Sequence, residues 1–209
     1  MPCIIGVDLD NTLVGYDEVL YRAARDRGWI PADTPKRKRI IRDRVRVLPG
    51  GEAEWQRLQA HIYGPGMREA EVIEGVREFL GMCREQGATV YVVSHKTRRA
   101  AADSTGGDLR QTALSWMRQQ GLMGGGFGLP EGSVYFESSR SEKCERIRAL
   151  GCTHFIDDLE ETFRAPEFPD CVVKMLYAPD AGDSAQGDWR CFRSWGEIGT
   201  YVAESCRHG

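Results

Sequence analysis

The sequence predicts an α/β fold, a Rossmann-like parallel sheet with helices on both faces, interrupted by a small all-helical insertion. Three observations carry that prediction. Short runs rich in β-branched residues, with Cys3-Ile4-Ile5-Gly6-Val7 the first, are apolar throughout, as strands buried on both faces are. Helix-length segments with apolar residues at three- and four-residue spacing alternate with these runs, the pattern of a parallel sheet built from crossover units. The interval 15–70 breaks the alternation, with three amphipathic helical patterns and no convincing strand.

In chain order, the first strand is followed by the insertion. There Tyr16 to Arg27 ends at Gly28, Lys36 to Leu48 sets Ile41, Val45 and Leu48 on one face, and Glu52 to Tyr63 does the same with Trp55, Leu58 and Ile62. Pro31, Pro35, Pro49-Gly50-Gly51 and Gly64-Pro65-Gly66 punctuate these helices. Val72, Ile73, Val76, Phe79, Leu80 and Cys83 recur at helical spacing before a stop at Gly87. Thr89 to Val93 reads as the second strand, and Leu109, Ala113, Trp116 and Met117 form the next helical face before Gly121. Gly124 to Gly128 is expected to be a flexible loop. Val134 to Phe136, Thr153 to Ile156 and Cys171 to Tyr177 complete the strands, and Trp195 to Cys206 reads as a closing helix. The expected domains are an α/β core of residues 1–14 and 71–209 and a helical insertion of residues 15–70.

Composition bounds the class. A chain of 209 residues suits one domain, or one carrying an insertion, and buries about 70% of its unfolded surface. Its 41% hydrophobic and 28% charged residues are those of an ordinary soluble globular protein. No apolar run approaches the ~20 residues of a membrane span, so no membrane partner is expected. The N-terminus lacks the basic flank and cleavage site of a signal peptide, which gives a cytoplasmic expectation. Seven scattered cysteines, none spaced as CxxC, argue against a zinc site, a disulfide framework or cysteine catalysis; most are expected to be reduced. Only five of the 28 basic side chains are lysines, so a lysine in a suggestive place is a sharper signal than usual.

Three strand ends carry the polar residues. The first strand runs into Asp8-Leu9-Asp10-Asn11-Thr12, and alternation along a strand turns Asp8 and Asp10 to one side. The second ends in Ser94-His95-Lys96-Thr97, and the fourth in Asp157-Asp158. Ligands of open α/β sheets bind at the carboxyl ends of the strands. Adjacent carboxylates there repel one another unless a cation joins them, and Asp8, Asp10, Asp157 and Asp158 form the all-oxygen set that suits Mg²⁺. A plainer role for Asp157 or Asp158 is to cap the following helix. Ser139 and Glu142 match a capping box, which places Lys143 in the first turn of a helix, where a cation opposes the helix dipole unless it serves an anion.

In this order the motifs VDLDNT, VYVVS, Lys143 and FIDD resemble those of the haloacid dehalogenase (HAD) superfamily, over residues 3 to about 177. The 15–70 interval stands where that family carries a helical cap of the C1 type. The resemblance implies that Asp8 is a nucleophile toward phosphorus and Asp10 the general acid and base. It implies Mg²⁺ held by Asp8, the Asp10 carbonyl and Asp158, with Asp157 in support. Ser94, Lys143 and the turn around Asn11 and Thr12 would hold the phosphate; His95, directly after Ser94, is a further candidate for the phosphate or for a supporting hydrogen bond. An Asp two residues after the nucleophile marks the family's phosphatases and phosphomutases, so Asp10 argues against dehalogenation.

The expected function is therefore a Mg²⁺-dependent phosphatase of a small phosphorylated metabolite, acting through an aspartyl-phosphate. Alternatives are a phosphotransferase or phosphomutase of the same family, a glycoside hydrolase with paired carboxylates, and a catalytically dead HAD scaffold that binds anions or nucleic acid. Residues 36–47 hold seven basic side chains and one Asp, but without interleaved aromatics they read as a solvated helix with one or two substrate-selecting arginines rather than a nucleic-acid surface. His154 reads as a core residue, Arg98 and Arg99 as surface residues, and the five tryptophans as packing residues, of which Trp29 or Trp55 could contact a substrate. Substrate identity and oligomeric state are not written in the sequence.

Overall fold

The first apolar run forms strand β1 (Ile4–Val7), in a computed structural model that describes residues 2–99, 107–124, 128–180 and 187–207. Next come the two-residue strand β2 (Val14–Gly15), helices α1 (Asp17–Asp26), α2 (Lys38–Arg46) and α3 (Gly51–Tyr63), and a second two-residue strand, β3 (Glu71–Val72), which pairs with β2. Helix α4 (Val76–Glu85), strand β4 (Thr89–His95), helix α5 (Leu109–Gln119), strand β5 (Val134–Glu137) and helix α6 (Arg140–Ala149) follow. The chain continues through β6 (His154–Asp157), the single turn α7 (Glu160–Phe163), β7 (Val173–Tyr177), β8 (Arg190–Phe192) and α8 (Trp195–Arg207). Residues 125–127 of the expected glycine loop lie outside the described residues.

Six strands form one parallel sheet in the order β5-β4-β1-β6-β7-β8. Successive residues of a strand face opposite ways, and both faces are apolar. Phe155 and Leu176 pack with Val93, Cys144, Ile147 and Phe163 on one side. On the other, Trp195 of α8 meets the rings of Phe79 and Tyr177. This double burial explains why the strands are continuous apolar runs. At Gly6 the ring of Phe155 lies so close that a Cβ would overlap it.

Some elements differ from expectation. The helix expected from Val72 begins at Val76, because Val72 pairs in β3 and Gly75 takes a left-handed φ of 85°. The strand expected from Cys171 begins at Val173. Strand β8 carries no sequence signal: two of its three residues are exposed, and its pairing with β7 makes it a strand.

The chain divides into two compact units, residues 1–13, 72–96 and 117–209, and residues 14–71 and 97–116. Besides the 15–70 interval, the second unit thus includes a segment expected to belong to the core. Within it, Ile41 and Val45 of α2 and Trp55, Leu58 and Ile62 of α3 are buried, and the Trp116 indole N–H donates to the Ala70 carbonyl at 3.0 Å. The basic run is largely engaged inside this unit: Lys36 pairs with Glu18 at 2.6 Å, Arg46 with Glu52 at 2.7 Å, and Lys38 donates to the Tyr63 hydroxyl at 2.8 Å.

Most of the cysteines are reduced, as expected, with one exception. Cys3 and Cys206 form a disulfide across a sequence separation of 203, with Cα atoms 5.6 Å apart. Cys83, Cys144, Cys152, Cys171 and Cys191 are free thiols. Spacing could not reveal a pair made by the meeting of the first strand's approach with the last helix. No described helix is long and apolar enough to cross a membrane.

Candidate active site

Strand β1 lies between β4 and β6, the place in an open α/β sheet where connections leave in opposite directions and a crevice opens at the carboxyl ends of the strands. Val7 is level with Val92 and with Ile156, so Asp8 and Asp157 emerge side by side. The Asp8 N–H donates to the Ile156 carbonyl at 2.9 Å, which continues the ladder one residue past β1.

Lys143 joins these two carboxylates. Its ammonium donates to Asp8 Oδ1 at 2.6 Å and to Asp157 Oδ2 at 2.7 Å, and lies 5.2 Å from the centre of the Phe155 ring. It stands in the first turn of α6, whose N-cap Ser139 accepts the Glu142 N–H at 3.1 Å. The Glu142 carboxylate accepts the N–H of Ser138, at 2.8 Å, so the box closes one residue before the expected one. The other Asp157 oxygen accepts the Leu159 N–H at 2.9 Å, so both oxygens of this buried carboxylate are engaged; α7 begins after Leu159 and has no side-chain cap, so the helix-capping role expected for Asp157 or Asp158 is not seen. Asp158 is half-buried and accepts the Thr12 hydroxyl at 3.3 Å.

Asp10 is held by a different lysine. The Lys96 ammonium donates to Asp10 Oδ2 at 2.6 Å. Strand β1 ends at Val7, so strand alternation no longer governs Asp8 and Asp10, and the two carboxylates go to separate cations. Lys96 was not among the expected site residues. The available signal was its rarity, as one of five lysines, two residues beyond Ser94.

Burial pushes the Asp8 carboxyl up to about 6; Lys143 opposes this, and the nearby Asp157 and Asp10 charges reinforce it. Burial alone would favour loss of the Lys143 proton, but the Asp157 and Asp8 carboxylates outweigh it and hold the ammonium above its ordinary pKa. Lys143 is therefore a fixed positive charge. One oxygen from each of Asp8, Asp157 and Asp158 lies within 4.8 Å of the others. Four aspartates against two lysines leave two negative charges, and an all-carboxylate set of this size suits a hard divalent cation. The Asp10 carboxylate is not part of that three-residue cluster.

Several solved structures share this architecture. A HAD family hydrolase from Deinococcus radiodurans R1, with bound phosphate and sodium, is 16% identical, with 98% of this chain and 96% of that one covered and a TM-score of 0.57. A haloacid dehalogenase-like protein from Streptococcus pneumoniae is 14% identical over 96% of this chain and 98% of its own, with a TM-score of 0.58. The chain has the HAD fold. A dehalogenase with an intermediate complex is also similar, at 11% identity, 97% coverage of each chain and a TM-score of 0.59. No protein-family profile matches the sequence, and no curated protein is significantly similar to it.

Within the HAD fold the remaining expected residues fall as follows. Asn11 has a φ of 59°, the one positive value at a non-glycine among the described residues, and it turns the chain so that the Leu13 N–H reaches the Leu9 carbonyl at 2.9 Å. Thr12 is buried, its hydroxyl directed to Asp158 and its carbonyl accepting the Trp195 indole N–H at 3.1 Å. Ser94 is buried near the end of β4, level with Phe136. The exposed His95 ring bonds the Ser138 carbonyl at 3.1 Å, which ties β4 to the approach of α6. His154 is a core residue, its ring against Tyr201, and burial lowers its pKa. Trp55 is a packing residue inside the second unit, as expected of the tryptophans, and Trp29 is half-buried beneath Arg27. Arg98 and Arg99 are exposed in the second unit, in accord with a surface role.

Proposed function

We propose that the chain is a hydrolase of phosphate monoesters, a Mg²⁺-dependent phosphatase that acts on a small phosphorylated metabolite through an aspartyl-phosphate on Asp8. The observation that carries this reading is the separate holding of two carboxylates at one strand end, Asp8 by Lys143 inside the aspartate cluster and Asp10 by Lys96 outside it. One carboxylate is thereby set for attack and the other for proton transfer. A dehalogenation would have no use for the second, although dehalogenases share the fold. The bound phosphate of the Deinococcus neighbour supports the same substrate chemistry.

In the first half-reaction a carboxylate oxygen of Asp8 attacks phosphorus, the bond from phosphorus to the ester oxygen breaks, and Asp10, which enters this step protonated, gives that oxygen its proton. In the second, a water molecule attacks phosphorus and loses its proton to Asp10. The bond from phosphorus to Asp8 breaks, which frees phosphate and restores both aspartates. The Lys143 ammonium offsets charge on the phosphoryl oxygens, and the Ser94 hydroxyl and the N–H groups from Leu9 to Thr12 are donors to them. Mg²⁺ would be held by Asp8, Asp158 and the Asp10 carbonyl, with Asp157 in support, and supplies charge neutralisation of the phosphate when bound. The compact helical unit suits sugar phosphates or nucleoside monophosphates in a cytoplasmic setting, with the helical unit as a C1-type cap.

The test is phosphate release from a panel of phosphorylated metabolites and p-nitrophenyl phosphate with Mg²⁺. Wild type should turn over at least one ester, EDTA should stop it, and Asp8→Asn should fall to background. Full activity in Asp8→Asn, or no release from any ester, overturns the reading.

A further inference from the structure

We infer that Lys96 is a positioning residue for Asp10: it holds the Asp10 carboxylate outside the aspartate cluster, in the place where it transfers a proton to the leaving group. The inference rests on the phosphatase reading for its kinetic consequences but not for its geometry. Asp10 is two residues from Asp8, close to a cluster whose three carboxylates can hold a cation. A cation held by that cluster would draw a neighbouring carboxylate toward itself, and a carboxylate so coordinated could no longer exchange protons with a substrate. The Lys96 ammonium, 2.6 Å from Asp10 Oδ2, supplies the competing attraction.

The division of exposure shows which of the pair meets a reactant. The Lys96 side chain is 3% exposed and the Asp10 side chain 20%, so the lysine acts through the aspartate. Its backbone is fastened as well: the Lys96 N–H donates to the Glu137 carbonyl at 2.9 Å, which carries the β4–β5 pairing one residue past His95. The adjacent His95 ring holds the Ser138 carbonyl. A buried ammonium on a pinned strand end is a fixed point toward which a short side chain orients. The charge of Lys143, taken up by Asp8 and Asp157, is directed elsewhere.

The geometric test is a crystal structure with Mn²⁺ bound. In wild type the Asp10 carboxylate should remain on Lys96, and in Lys96→Met it should turn toward the metal. Coordination of Mn²⁺ by the Asp10 carboxylate in wild type, or an unchanged Asp10 in Lys96→Met, overturns the inference. Lys96→Gln serves the same purpose if the Met variant fails to fold. The kinetic test compares p-nitrophenyl phosphate, whose leaving group needs little protonation, with phenyl phosphate, whose leaving group needs more. Lys96→Met should lower kcat on phenyl phosphate by about 100-fold, the scale of general acid catalysis, with KM little changed and a much smaller loss on p-nitrophenyl phosphate. Lys96→Arg should restore most of the activity, and Lys96→Met should cost nothing further in an Asp10→Asn background. Additive losses, or a rise in KM with kcat unchanged on both esters, would make Lys96 a substrate contact instead. Failure of the phosphatase reading shows itself separately, in Asp8→Asn, and leaves the Mn²⁺ crystal test in force.

Discussion

Asp157 and Asp158 are adjacent and chemically identical, yet their surroundings separate them. Asp157 is buried, with one oxygen on Lys143 and the other on the Leu159 N–H, whereas Asp158 is half-buried beside Thr12. Asp157→Asn should therefore act by loosening Lys143, lowering kcat about 10–100-fold, the usual cost of losing an outer-shell partner. Asp158→Asn should instead raise the Mg²⁺ concentration needed for half-maximal activity, and Mg²⁺ titrations of the two variants distinguish these outcomes. A larger Mg²⁺ shift in Asp157→Asn would reverse the assignment. At this scale the sequence was informative wherever a polar residue directly followed an apolar run or a capping signal, as with Asp8, Asp157 and Lys143. For Lys96 it offered only the rarity of lysine, because the meaning of that residue lies in a pairing across 86 residues of chain.

Helix α6 and strand β1 show how elements transmit placement to the site. The cap at Ser139 fixes where α6 begins and so where Lys143 projects. Ser139→Ala should cost about 1 kcal/mol of stability by urea unfolding, with the N–H of Glu142 left to water. In β1, Gly6 admits the Phe155 ring, and the same ring faces the Lys143 ammonium. Gly6→Ala should destabilise by about 1–3 kcal/mol through overpacking and lower activity as well, because the displaced ring shifts the lysine. A variant with lost stability but unchanged kcat would break that link. Strands β1, β4, β6 and β7 could be read because both their faces are buried. By contrast, β8 and the two-residue β2 and β3 exist through pairing, and no local pattern announces them.

For the whole molecule, the order of four short motifs along the chain pointed to a fold that a sequence-wide match does not, since the three solved structures named above are only 11–16% identical. The grouping of residues 97–116 with the helical unit, and the meeting of the chain's two ends, arise from tertiary contacts that periodicity cannot register. The disulfide is the testable part. Without reductant, Cys206→Ser should lose about 2–4 kcal/mol of stability relative to wild type, and dithiothreitol should abolish the difference. An equal Tm for both proteins without reductant would show that the bond does not form in solution.

With Cys3 and Cys206 joined, the backbone between them is a closed covalent ring. One cut by a protease anywhere within that ring opens it without dividing the protein. Two cuts, or one cut followed by reduction, are needed to release a fragment.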